Sequence, residues 1–200
     1  MMQHSPGKMH LNSRETEQKE PKPLEQSVDQ KTIEACRKGD RAAQKRLYDA
    51  LAPKMFAVCL RYMGQRDLAE DILQDGFVTV FTKLDRYTGE GSFEGWARKI
   101  FINTALMSLR KTDALKLSDD LQTAWNVGTG SGSQIQEIGY KELMQLIGGL
   151  PAGYRTVFNM FVIEGYSHKE IADALGISEA TSRSQLNRAR AMLQEKIRNL

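Results

Sequence analysis

The sequence is poor in cysteine, proline and aromatic residues, and it has no long apolar run. Of its 200 residues two are cysteine and five proline, 8% are aromatic and 40% hydrophobic. Cys36 and Cys59 match no metal-ligand spacing, so neither a disulfide framework nor a zinc site is expected and both thiols read as structural. The longest apolar run, Met55-Phe56-Ala57-Val58-Cys59-Leu60, falls far short of the roughly 20 residues that span a bilayer, so no membrane insertion is expected. Met1 to Lys8 lack the apolar core of a secretory signal, which makes the cytoplasm the expected compartment. The net charge is only +3, from 28 Lys+Arg against 25 Asp+Glu. A surface that binds a polyanion must therefore concentrate its charge locally.

What the sequence does have is helical periodicity. Apolar residues recur at spacings of three and four, and the alternation of a half-buried strand is missing, which predicts an all-α fold. Residues 1–28 are polar, carry Pro6, Pro21 and Pro23 and repeat no apolar face, so a disordered tail is expected there. Residues 112–134, which include Asn126-Val127-Gly128-Thr129-Gly130-Ser131-Gly132-Ser133, have the composition of a flexible linker. Two small helical domains are expected on either side, at 29–111 and 135–200.

In the first domain Asp29 precedes a short helix stopped by Gly39, and Asp40 can cap a second carrying Ala43, Leu47 and Leu51. Pro53 suits the first turn of a third, with Phe56, Leu60 and Met63 on its face. A fourth helix spans about Asp67 to Leu84, with Leu68, Ile72, Phe77, Val80, Phe81 and Leu84 apolar. After the loop from Tyr87 to Gly91, Ser92 caps a fifth helix bearing Phe93, Trp96, Ala97, Ile100 and Phe101. In the second domain Pro151 opens a helix reaching Glu164, and Gly165 stops it. Ser167-His168-Lys169-Glu170 is a capping box that starts a helix carrying Ile171, Ala172 and Leu175. Gly176 ends that helix, and Ser178 caps the last one, which runs to about Arg198. So short a turn between two helices makes a helix-turn-helix.

The second helix of such a motif lies in the major groove of DNA. Here Leu186, Ala189, Leu193 and Ile197 must be core, and the other side presents Thr181, Arg183, Ser184, Asn187, Arg188 and Arg190. Arginine bonds guanine bidentately, asparagine bonds adenine, and serine or threonine serves a base or a phosphate. From Ser178 to Arg198 five basic residues face two acidic ones, although a solvated amphipathic face would show the same run. In the first domain Glu70, Asp71, Gln74 and Asp75 lie one turn apart, away from the apolar stripe. Such a patch could bind metal, do acid–base work or dock a basic partner. No matching His, Cys or Glu-x-x-His pattern supplies convergent ligands, so no metal, cofactor or enzymatic activity is expected. The Tyr87–Ser92 loop, next to Arg98, Lys99 and Asn103, offers unstacked bases a π-surface, backbone donors and cations. Phe93 and Trp96 have a spacing commoner in cores than in ligand sites.

The stretch Ala69-Glu70-Asp71-Ile72-Leu73-Gln74-Asp75-Gly76-Phe77, followed by Gly91-Ser92-Phe93-Glu94-Gly95-Trp96 and Ile102-Asn103, resembles region two of bacterial RNA polymerase sigma factors. Leu150-Pro151, Tyr154-Arg155, Gly165-Tyr166-Ser167-His168-Lys169-Glu170-Ile171-Ala172 and the run from Ser178 to Arg190 resemble region four. These two regions alone, joined by a short linker, are the layout of the extracytoplasmic-function group. The resemblance implies that Asp71, Gln74 and Asp75 dock the clamp coiled coil of core polymerase, with Asp75 standing where glutamate is commoner. It also implies that the Tyr87–Ser92 loop, with Gly91 and Ser92, captures a base extruded from the minus-ten strand, and that Asn103 helps to read it. Thr181, Arg183, Ser184, Asn187 and Arg188 would read the minus-thirty-five element as duplex. Ser182 stands where many members have valine and Gln185 where many have a basic residue, which bears on base preference. The implied chain is a monomer when free and catalyses nothing itself. Its implied partners are core polymerase, promoter DNA and an anti-sigma factor. The alternative is a stand-alone helix-turn-helix regulator with a sensing or dimerising N-terminal bundle, which would bind a palindrome as a dimer.

Overall fold

Short polar side chains set where the helices begin. In the computed structural model, which describes residues 28–112 and 139–199, the Asp29 carboxylate accepts from the Thr32 N–H at 2.8 Å and starts α1, Gln30–Arg37. Asp40 accepts from the N–H groups of Ala42 and Ala43 and starts α2, Arg41–Met63. Ser92 accepts from the Gly95 N–H and caps α4, Phe93–Lys111, which follows α3, Arg66–Thr82, and a 3-10 turn at Leu84–Arg86. The expected tail and linker lie outside the described residues, apart from Val28 and Thr112.

Pro53 corrects one expectation. It opens no third helix, because α2 runs through it as a single helix of 23 residues. An interior proline removes one rung of hydrogen bonding and costs about 3 kcal/mol. A continuous buried stripe of Leu47, Leu51, Met55, Val58, Cys59 and Tyr62 spans both sides of Pro53, and each such side chain contributes about 1.5–3 kcal/mol on burial. That stripe outweighs the lost rung. It also turns Leu60, expected in the core, out to 37% exposure.

The helices α2, α3 and α4 pack on one another, and the close approach of α3 to α4 has a visible cause. A Cβ placed on Gly76 of α3 would lie 2.2 Å from the Phe101 ring of α4, so only glycine lets the two helices meet there. Phe77, the next residue, meets the same ring edge-on at 5.1 Å between centroids.

The second group consists of α5, Tyr140–Gly148, α6, Ala152–Phe158, α7, His168–Leu175, and α8, Glu179–Arg198. The regular helix expected from Pro151 to Glu164 ends at Phe158 and widens into a π-turn over Asn159–Ile163. The widened turn is closed by the Glu164 N–H donating to the Asn159 carbonyl at 3.0 Å. The capping box forms as expected, with the Ser167 hydroxyl accepting from the Glu170 N–H and the Glu170 carboxylate accepting from the Ser167 N–H. Leu186, Ala189 and Leu193 of α8 are buried, and Ile197 is half-buried.

The two groups do not stand apart. The last turns of α2 pack against α5 and α6, and Val157, Met160, Ile171 and Leu186 belong to the same buried cluster as the N-terminal helices. Arg155 of α6 fastens this seam. Its guanidinium donates to the carbonyls of Tyr62 and Met63 at the end of α2, and to those of Gly148, the last residue of α5, and Leu150 just after it. A cation is well placed there, because helix C-termini carry unpaired carbonyls and the negative end of the dipole. Gly64, at φ +73°, ends α2, and a Cβ on it would lie 2.7 Å from that guanidinium. The seam also leaves a largely apolar cavity of about 560 Å³, lined by Ala57, Leu60, Met144, Gln145 and Gly148 among others.

Candidate functional site

The acidic patch lies on one face of α3. Asp71, Gln74 and Asp75 are exposed, while Glu70 is half-buried and paired with Arg66 at 2.8 Å. At 100° per residue, Leu68 and Val78 fall on the same face, and they are 41% and 65% exposed. Leu68, one of the apolar positions expected of this helix, is not part of its buried stripe. Ile72, Phe77 and Val80 carry the buried side of α3, so Leu68 is left outside with the acids. Sequence reasoning therefore missed an apolar element of this surface. The available signal was that Val78 is one turn beyond Asp75 and off the buried stripe.

The loop before α4 is held from both sides. Arg37 donates to the carbonyls of Leu84 and Tyr87, and the Tyr87 hydroxyl donates to the Gly91 carbonyl at 2.8 Å. The Tyr87 ring is buried, edge-on to Phe93 at 5.1 Å and tilted against Trp96 at 5.5 Å. Tyr87 therefore offers no open π-face, contrary to the expectation, and shapes the loop from within. Gly91, at φ +73°, and Ser92 are exposed, and so is Asn103 farther along α4. Beside the loop is a cavity of about 300 Å³ lined by Ile33, Leu51, Tyr87, Gly91, Ser92 and Phe93 among others.

On α8, Arg183 and Asn187 are exposed, and Thr181, Ser184 and Arg188 are half-buried. Arg183 pairs with Glu179 at 2.6 Å, and the Ser184 hydroxyl donates back to the Thr181 carbonyl at 2.9 Å. One terminal nitrogen of Arg188, Nη1, is buried without a hydrogen-bond partner. Ser182 and Gln185, thought to bear on base preference, are buried at 0% and 3% exposure. They pack inward and present nothing to a groove. Ser182 instead meets His168 Nδ1 at 2.9 Å, tying α8 to α7. Phe161 stacks on the His168 ring at 4.5 Å and lies under the Arg190 guanidinium. Burial, and then the Arg183 charge, hold the His168 pKa below the usual histidine value.

The acidic face thus lies on α3, the Tyr87–Ser92 loop precedes α4, and the exposed arginine and asparagine lie on α8. The Sigma-70 region 2 family model matches residues 47–114, and the Sigma-70, region 4 model matches residues 140–193. The ECF RNA polymerase sigma-E factor of Haemophilus influenzae is 25% identical over 187 residues, covering 88% of this chain and 98% of that protein. Its namesake from Escherichia coli strain K12 is 28% identical, covering 88% and 97%. The chain belongs to the sigma-70 family, in its extracytoplasmic-function group.

As a sigma factor it directs RNA polymerase to promoters. Among solved structures, the sigma factor RpoE in complex with the anti-sigma factor NepR from Bartonella quintana is 22% identical, with a TM-score of 0.46 over 76% of this chain and 94% of that one. CnrH in complex with the cytosolic domain of CnrY is 20% identical, with a TM-score of 0.46 over 86% and 99%. Among the described residues of this sigma factor no helix is long and apolar enough to cross a membrane, and no three His, Cys, Asp or Glu side chains group as a metal site. Cys36 and Cys59 are buried, and burial pushes both thiols up, Cys59 to about 12, which leaves them poor nucleophiles.

Proposed function

We propose that this sigma factor divides its work among those three elements. Asp71, Gln74 and Asp75, flanked by exposed Leu68 and Val78, dock a basic, partly apolar surface of core polymerase, the clamp coiled coil. The apolar side chains supply desolvated contact and the acids supply register. Gly91 and Ser92, beside the 300 Å³ cavity, and Asn103 farther along α4 receive an unstacked minus-ten base, with Tyr87 holding the loop in shape. Arg183 and Asn187, with Thr181, Ser184 and Arg188 beside them, read the minus-thirty-five duplex from the major groove. The chain works in the cytoplasm as a monomer when free and makes or breaks no bond itself. An anti-sigma factor completes the set of partners.

The observation that carries this reading is that the α3 face and the α8 face are exposed on different domains. Their spacing has a consequence. The two promoter elements lie about 25 base pairs apart, roughly 85 Å at 3.4 Å per pair. A compact body of about 145 residues has a radius of gyration near 15 Å, too small to touch both. The seam must part on promoter DNA, and a connection of about 27 residues can extend to roughly 90 Å.

Asp71→Arg tests the docking assignment. It abolishes co-purification with core polymerase and leaves the thermal midpoint of the free chain unchanged, because Asp71 is exposed. Undiminished co-purification overturns the assignment.

A further inference from the structure

The seam contains an oxyanion site whose occupant belongs to the chain itself. Glu164 directly follows the π-turn, and its side chain is only 7% exposed. Arg98 of α4 donates from Nε to one carboxylate oxygen at 2.7 Å and from Nη2 to the other at 2.9 Å, the two-bond fork by which arginine recognises oxyanions. Arg61 of α2 donates from Nη2 to the second oxygen at 2.7 Å. Arg61 is itself buried, and its Nε has no hydrogen-bond partner. The buried Tyr62 hydroxyl has none either. Two cations from different helices thus converge on one carboxylate, with donor capacity left over.

Both arginines come from the N-terminal domain and the carboxylate comes from the other. When the seam parts, α2 and α4 present two adjacent guanidiniums that have lost their counter-charge, with exposed Lys99 next to Arg98. A backbone phosphodiester has two unesterified oxygens, as a carboxylate does, and accepts the same fork. Asn103 lies five residues beyond Arg98 on the same helix, about 7.5 Å along its axis. We infer that Arg61 and Arg98 form a binding site for a backbone phosphate of promoter DNA beside the minus-ten element, which Glu164 fills while the two domains are closed. The inference rests on the sigma-factor reading and assigns that reading a phosphate contact. Carboxylate and phosphate then compete for one site. The closed chain cannot grip the melted strand, and DNA bound there holds the seam open.

The test uses holoenzyme assembled from the full chain and core polymerase, on fork-junction DNA whose minus-ten strand is unpaired, across a range of salt. Arg98→Gln lowers affinity for this DNA about tenfold. It also flattens the slope of log affinity against log salt by about 0.7, the value of one single-strand phosphate. Affinity for core stays unchanged. Arg98→Lys restores the slope but only part of the affinity, because lysine keeps the charge and lacks the fork. Glu164→Gln raises the binding of fork DNA by the chain alone. An unchanged salt slope in Arg98→Gln overturns the site. Loss of core affinity in that variant assigns the pair to a carboxylate of polymerase and overturns it too. Wild-type holoenzyme that fails to bind fork DNA overturns the sigma-factor reading itself, a result distinct from the other two.

Discussion

The interior of the N-terminal bundle and the seam between the domains are built from different materials. The bundle interior is apolar and fitted closely, with Phe101 lying where any side chain on Gly76 would collide with it. The seam also buries Val157, Met160, Ile171 and Leu186 against the N-terminal helices, but it adds Arg155 on four carbonyls, Glu164 between two arginines, unpartnered polar atoms and a cavity of about 560 Å³. Buried apolar contacts gain free energy in proportion to the area removed from water. A buried ion pair gains little net, because desolvation offsets its attraction. The difference supports the proposed parting: the bundle persists, and the seam is the weaker region, able to open while each half stays folded.

Breaking the bundle has the largest effect. Phe101→Ala removes the ring around which α3 and α4 meet and costs about 3–5 kcal/mol. Urea unfolding of the variant reads this directly, as a lower midpoint with little change in slope. Arg155→Met sharpens the contrast at the seam. It leaves four carbonyls without their donor and weakens domain closure by about 3 kcal/mol. Solution scattering then shows a larger radius of gyration with helical content intact, whereas lost helix would mean that the seam is part of the folding core.

The third effect is the smallest and lies inside the second domain. Because the His168 pKa is lowered by folding, the unfolded chain takes up the proton first as pH falls. The stability this neutral ring contributes is fully present above pH 6.5, the ordinary histidine value, and declines below it. Amide protection in α7 and α8, taken relative to the intrinsic exchange rate at each pH, should fall below pH 6.5, and His168→Gln should remove that dependence.

Local signals were legible in the sequence because they act over three or four residues. Asp29, Asp40, Ser92, Ser167 and Ser178 all cap the helices expected of them. Pro53 misled because a local preference was outweighed by a buried stripe that only the packed bundle defines. Tyr87, Ser182 and Gln185 misled for a related reason. Residue type announced a π-face at Tyr87, and departure from the family pattern suggested an effect on base preference at Ser182 and Gln185, but packing turned the ring and both side chains inward. Leu68 and Val78 show the converse, apolar residues that the bundle leaves outside beside Asp71 and Asp75. The seam itself could not be read from the sequence. Its partners are far apart in the chain, as Arg61 and Glu164 are, and no periodicity links them.

The most direct measurement is a distance between spin labels on Arg46 of α2 and Gln194 of α8, two exposed positions on the two domains outside the proposed binding surfaces. The chain alone should give one short, narrow distribution, replaced by a longer one when core polymerase and promoter DNA are added. An unchanged short distance in the functioning promoter complex would contradict a seam that parts for the two readers to reach their elements.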